Sequence, residues 1–136
     1  MFNFEFYNPT RIVFGKDRIK ELNRLIPTAA RVLILYGGGS VKKFGTLDKV
    51  RQALGERTTI EFGGIEPNPR YSTLVRAVEV VQSEGIDFLL AVGGGSVMDG
   101  TKFVALASQY AGAAEDILYG KAKPAQLFAA VPLGTV

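Results

Sequence analysis

The sequence predicts an α/β fold, a parallel sheet with helices on both faces, preceded by short N-terminal strands. Three observations lead there. The apolar runs at 32–35, 88–92 and 127–131 are unbroken by polar residues, as in strands buried on both faces. Stretches with helical spacing of apolar residues separate them. Glycine clusters close the first two runs at 37–39 and 93–95, as turns from strand to helix do.

Each element follows in order. Phe2, Phe4 and Phe6 alternate with Asn3, Glu5 and Tyr7, a period of two that predicts a strand with one buried face, ended by Pro9. Residues 11–15 (Arg-Ile-Val-Phe-Gly) read as a second short strand. From Lys16 to Ile26, the positions Ile19, Leu22, Leu25 and Ile26 have helical spacing, and Pro27 ends the run. Residues 31–36 form the first buried strand, 41–54 a helix, and 58–62 a β-branched strand. Gly63-Gly64 and Pro67-Asn68-Pro69 make a loop. Leu74, Val75, Val78 and Val81 give the helix 71–83, capped by Gly85. Residues 87–92 are a buried strand, 97–108 a helix, and 127–131 the last strand. Strands alternating with helices of this length indicate βαβ units, hence a Rossmann-like parallel sheet.

The chain has 136 residues, enough for one domain with a real core. Hydrophobic residues at 47% and charged residues at 21% fit a folded chain. There is no cysteine and no histidine, which excludes disulfides and thiol chemistry and removes the commonest base and metal ligand. The net charge of +3 is scattered, without a basic run, so nucleic-acid binding is not expected. No apolar run reaches the roughly 20 residues that span a bilayer. The start, Met-Phe-Asn-Phe-Glu-Phe, lacks the basic region and cleavage site of a signal peptide, so a cytoplasmic location is expected.

The strand-GGGS-helix unit occurs twice, at 32–41 and 88–97. Open parallel sheets bind ligands at the carboxyl edge of their strands. There a helix N-terminus offers unpaired N–H groups and partial positive charge, and glycine lets a phosphate come close to the backbone. The serines, Ser40 and Ser96, can cap their helices or donate to an anion. Two such turns can hold the two ends of a dinucleotide. The simpler reading is that the glycines only make tight turns. Neither cluster is a G-x-G-x-x-G or a lysine-bearing P-loop, which disfavours both of those nucleotide sites.

Asp99 and Lys102 lie one turn apart on the helix after the second cluster. Such a pair is usually a surface pair, yet a first-turn carboxylate can also order the glycine loop or accept from a ribose or an amide. NAD-preferring folds commonly bind the ribose 2′-OH with an acid. After Leu35-Tyr36 no acid occurs until Asp48, and Ser40, Lys42 and Lys43 stand nearby. An acid-free turn with cations suits a 2′-phosphate, although the lysines can equally be the wet face of a helix.

The segment 93–102 (GGGSVMDGTK), the loop 62–69 (FGGIEPNP) and the start 8–15 (NPTRIVFG) together resemble the iron-containing alcohol dehydrogenase family. The segment 36–43 (YGGGSVKK) resembles its NADP-dependent aldehyde reductase/butanol dehydrogenase branch, since NAD-using members tend to carry an aspartate near Gly37 or Gly38. The resemblance implies a fold like the N-terminal domain of dehydroquinate synthase, here 1–136, followed by an all-helical metal domain absent from this chain. It implies that Gly38, Gly39 and Ser40 face the adenosine ribose and 2′-phosphate. It further implies that Asn68 borders the cleft, that Gly94, Gly95 and Ser96 hold the pyrophosphate, and that Asp99 lies toward the nicotinamide. The metal, iron or zinc, would be held by an aspartate and histidines of the helical domain and act as a Lewis acid on the substrate carbonyl. None of those ligands is expected within this chain.

The expectation is therefore an NADP(H)-binding domain of an enzyme interconverting alcohols and aldehydes, inactive alone. Its partners would be an aldehyde or alcohol in the full-length enzyme and a second copy in a homodimer, built with the N-terminal strand. The alternative is a non-catalytic nucleotide-binding or dimerisation module. A further one is another sheet-edge nucleotide binder of the same superfamily, acting on a sugar phosphate or polyol.

Overall fold

A computed structural model describes residues 3–123 and 130–136. Among the described residues, four strands, β1 (Arg31–Tyr36), β2 (Thr58–Phe62), β3 (Phe88–Val92) and β4 (Leu133–Thr135), form one sheet in the order β2-β1-β3-β4. Every pairing is parallel. The helices are α1 (Leu22–Leu25), α2 (Ser40–Lys43), α3 (Thr46–Leu54), α4 (Tyr71–Ser83), α5 (Gly95–Ala107) and α6 (Glu115–Leu118).

Strand alternation sends successive side chains of β1 to opposite faces. Leu33 and Leu35 join Leu89 and Ala91 beneath α4 and α5, in a core with Leu74, Ala77, Val78, Val97 and Val104. Val32, Ile34 and Tyr36 join Leu90 and Val92 beneath α1 and α3, with Leu22, Ile26, Leu47, Val50 and Leu54. The two-sided burial explains the unbroken apolar runs, each Leu or Ile adding roughly 1.5–3 kcal/mol by leaving water. Between the helices, Gly100 of α5 admits α4 closely: a Cβ there would lie 2.8 Å from Leu74 Cδ2.

Arg57, between α3 and β2, is a charge buried inside this scaffold. Its guanidinium donates to the carbonyls of Asn23, Ile26, Pro27 and Leu54 and to Asn23 Oδ1. It ties the carbonyls at the ends of α1 and α3 together, two of which, Pro27 O and Leu54 O, also accept a backbone N–H.

Four expectations change. Residues 3–14 form no strand, and Phe4, Phe6, Tyr7, Ile12 and Phe14 are exposed; Phe2 lies outside the described residues. A strand needs a neighbour for its N–H and C=O groups, and among the described residues none runs beside this segment. The helix foreseen over 16–26 is a short 3₁₀ turn, Arg18–Glu21, running into α1. The helix foreseen over 41–54 is broken into α2 and α3 at Gly45, whose φ of 70° is left-handed. The last strand is β4 rather than 127–131; of that run, residues 127–129 lie outside the described residues, and Ala130 and Val131 are not in the sheet. Pairing with β3 selects β4, because Leu89 N–H bonds Pro132 O and the ladder proceeds from Leu89 opposite Leu133.

Candidate cofactor site

The sheet order reverses at β1. The chain leaves β1 for β2 on one side and returns through α4 to β3 on the other, so a crevice opens between the loops that follow β1 and β3. The ladder sets Tyr36 opposite Val92, which brings both glycine turns out side by side.

The glycines within each turn do different work. The first of each triplet serves the fold. A Cβ on Gly37 would lie 3.2 Å from Ile65 O and 3.4 Å from Val97 Cγ2, and Gly93 has φ 148° and a Cβ position 3.0 Å from Val97 Cγ2. Gly38, Gly39, Gly94 and Gly95 have neither constraint. None has a positive φ, and a Cβ on any of them would meet no atom within 4 Å. Nothing in the chain's own packing requires glycine there. Side chains at these positions would instead fill the crevice, as expected where a ligand approaches backbone.

The loop after β2 closes the crevice from the side. Gly64 N–H bonds Gly37 O at 3.1 Å, and Ile65 N–H bonds Tyr36 O at 3.2 Å. Ile65 is buried in the core beneath α4 and α5, which anchors the loop. Asn68, left-handed at φ 53°, donates its backbone N–H to Ser96 Oγ at 3.3 Å. Farther along, Glu66 Oε1 accepts from Thr73 Oγ1 at 2.8 Å, tying the loop to the first turn of α4.

The serines are not helix caps. Gly39 and Gly94 occupy the N-cap positions, without side-chain cap bonds. α2 begins at Ser40 and α5 at Gly95, so Ser40 and Ser96 lie in the first turn beside N–H groups that have no intrahelical acceptor.

An open depression of about 480 Å³ adjoins the first glycine turn, lined by Tyr36, Gly37, Gly38, Gly39, Lys42, Gly63 and Gly64. The Tyr36 ring packs so close to Gly63 that a Cβ there would lie 2.5 Å from it. Lys42 Nζ stands 5.1 Å from the centre of that ring, a cation–π distance, whereas Lys43 lies over Phe44 at 6.0 Å. The two lysines, equivalent in the sequence, therefore separate: Lys42 lines the depression and Lys43 does not. Tyr36 and Gly63 were not expected as site residues. Two glycines straight after a strand, as at Gly63-Gly64, were the one available signal.

Gly38, Gly39 and Ser40 after β1 and Gly94, Gly95 and Ser96 after β3 thus stand at the same edge of the sheet, with Asn68 bonded to Ser96. Asp99 lies on α5, one turn beyond Ser96. Its side chain is 74% exposed and pairs with Lys102 at 3.6 Å on the flank of α5.

Among the described residues, no three His, Cys, Asp or Glu side chains cluster in a way that could hold a metal ion. No helix among the described residues is long and apolar enough to cross a membrane.

Comparison with known proteins gives this geometry a context. The NADPH-dependent aldehyde reductase YqhD of Escherichia coli is 60% identical over 110 residues, covering 81% of this chain and 28% of that protein. The probable NADH-dependent butanol dehydrogenase 1 of Bacillus subtilis is 45% identical over 139 residues, covering 100% of this chain and 35% of that protein. The chain thus spans about a third of the length of the curated relatives it matches. Among solved structures, the substrate- and cofactor-free aldehyde reductase YqhD of E. coli superposes with a TM-score of 0.92 at 52% identity, over 98% of this chain and 35% of that one. NADH-dependent butanol dehydrogenase A of Thermotoga maritima superposes with a TM-score of 0.90 at 40% identity, over 98% of this chain and 34% of that one. A model of the iron-containing alcohol dehydrogenase family matches residues 9–136, and the chain belongs to that family.

Proposed function

We propose that residues 1–136 are the NADP(H)-binding domain of an enzyme that interconverts aldehydes and alcohols by hydride transfer. The observation that carries this reading is the set of four glycines, Gly38, Gly39, Gly94 and Gly95, left open where the fold itself does not need them. The pyrophosphate would lie on the N-terminus of α5, against the N–H groups of Gly95 and Ser96. Ser96 Oγ already accepts from Asn68, so its hydroxyl proton is available to a phosphate oxygen. Gly38, Gly39 and Ser40 would meet the adenosine ribose, with Lys42 supplying positive charge for a 2′-phosphate. Asn68 would border the cleft, and Asp99 would stand toward the nicotinamide. The bound cofactor would supply the hydride. These residues hold and orient it.

The metal and the substrate site belong, on this reading, to a further helical domain, and the enzyme is a cytoplasmic homodimer. Two observations support a larger assembly. The relatives are about three times longer. A trough of about 1460 Å³ also lies over the sheet face at Phe88, Leu90, Leu133 and Val136, walled by the N-terminal segment, α1 and α3.

The test is a fluorescence titration of the chain with NADPH. Saturable binding that weakens about tenfold or more in Gly95→Val supports the reading, since tenfold corresponds to about 1.4 kcal/mol. Equal titrations of the wild type and the variant would refute it. A second reading, a dimerisation module that binds no nucleotide, draws on the exposed aromatic residues Phe4, Phe6, Tyr7 and Phe14. Light scattering that finds a dimer, with no NADPH binding, would favour it.

A further inference from the structure

The relatives named above include users of NADPH and of NADH, so the choice of cofactor must lie in local residues rather than in the fold. Dinucleotide folds commonly select NAD with an acid that bonds the ribose 2′-OH, and such an acid repels a 2′-phosphate. The turn after β1 has no acid before Asp48, but an acid of the neighbouring strand stands on the same side of the sheet. Glu61 is the penultimate residue of β2, opposite Ile34 in the ladder and on the Tyr36 side of the sheet.

Glu61 is already engaged. Arg51, on α3, donates from Nε to Glu61 Oε1 at 2.6 Å and from Nη2 to Oε2 at 2.9 Å. This is a fork that takes up both carboxylate oxygens. Arg51 Nη1 also donates to Asp48 Oδ1 at 2.6 Å, so the guanidinium is fixed from two sides. Lys42, meanwhile, stands over the Tyr36 ring at the wall of the depression.

We infer that the Arg51–Glu61 pair is a specificity device: by occupying the carboxylate on the Tyr36 side of the sheet, Arg51 leaves Lys42 free to bind the 2′-phosphate of NADP(H). The inference rests on the proposed NADP(H) site and deepens it. Lys42 is the residue that contacts the phosphate, and Arg51 is a positioning residue that acts through Glu61. Without Arg51, the freed carboxylate has two effects. It repels a 2′-phosphate, and it draws the Lys42 ammonium to itself. The electrostatic reach is present in the folded chain, because Arg51 first, and then the Lys42 charge and the Tyr36 hydroxyl, hold the Glu61 carboxyl below the ordinary carboxylate range.

The experiment uses two probes that differ only in where the second phosphate sits, 2′,5′-ADP and 5′-ADP, titrated calorimetrically into the 136-residue chain. The ratio of their affinities is the readout, and a structural defect that weakens both equally does not move it. The wild type is expected to prefer 2′,5′-ADP. Lys42→Met should lower the ratio about tenfold, and Arg51→Met about fivefold, the range of a charge-assisted contact. Arg51→Met/Glu61→Gln, which removes both charges, should restore the ratio to near the wild-type value. Arg51→Lys keeps the charge but cannot grip both oxygens, so it should give an intermediate ratio, and it stands in if Arg51→Met does not fold. A wild type without preference for 2′,5′-ADP would overturn the NADP(H) reading itself. A wild type with that preference, unchanged in the Arg51 variants or not restored in the double variant, would overturn this inference alone.

Discussion

The backbone N–H of Asn68 donates to Ser96 Oγ at 3.3 Å, joining the loop after β2 to the first turn of α5 across 28 residues of sequence. The bond uses the serine as an acceptor and leaves its proton unspent. Ser96→Ala should therefore weaken NADPH binding about tenfold while reducing stability by only about 0.5–1.5 kcal/mol, the net worth of one hydrogen bond. Parallel NADPH titration and urea denaturation would check it. A loss of stability without a loss of binding would make Ser96 a structural residue.

The two classes of glycine give the next prediction. Gly93→Ala places a Cβ 3.0 Å from Val97 Cγ2 at φ 148° and should destabilise the chain by about 1–3 kcal/mol, the cost of a residue held in a sparsely populated backbone region. Gly95→Ala meets no atom within 4 Å and lies at the start of α5, where alanine is the better helix former. It should leave the thermal midpoint unchanged or raised, while NADPH binding falls. Similar stability losses in both variants would return the second triplet to a purely structural role.

Arg57 should prove the most sensitive polar residue of the scaffold. Arg57→Met removes the donor to four backbone carbonyls at once, those of Asn23, Ile26, Pro27 and Leu54. Pro27 O and Leu54 O keep the N–H groups of residues 30 and 57, so a loss of about 2–3 kcal/mol is expected, since each buried acceptor left unpaired costs about 1–3 kcal/mol. Denaturant unfolding measures it, and a loss below about 1 kcal/mol would mean that the helix ends are satisfied by solvent.

Glu61 should shape the acid limb of stability. Its folded-state carboxyl is held below the ordinary range, chiefly by Arg51, so the folded state binds the proton less well than the unfolded chain. The stabilisation is fully present above about pH 5 and is lost as pH falls through the folded-state value. Thermal midpoints measured from neutral to acid pH should fall less steeply in Glu61→Gln than in the wild type. Parallel curves would show that the pair makes no net contribution.

Much of the fold was legible in the sequence because burial on both faces leaves a mark that needs no coordinates. The runs 32–35 and 88–92 could be only central strands, and Leu74, Val78 and Val81 could lie only on the inner face of a helix. The residues of the glycine turns were legible for a related reason, since two repeated strand-GGGS-helix units announce two similar turns at one edge. What the sequence could not settle were matters decided by partners distant along the chain. Whether residues 3–14 pair, and which segment becomes the last strand, depend on which edge is available, and that is a property of the assembled sheet. Which of the two adjacent lysines turns to the depression depended on where the Tyr36 ring sits, and that is set by Gly63 on another strand's loop. The acid at 61 went unnoticed as a candidate because its meaning comes from its place at the end of β2 and from Arg51, ten residues earlier, which the α3–β2 packing brings into contact with it. Local pattern carries burial and periodicity. Charge pairing and site membership arise only when tertiary packing sets distant side chains within hydrogen-bond reach.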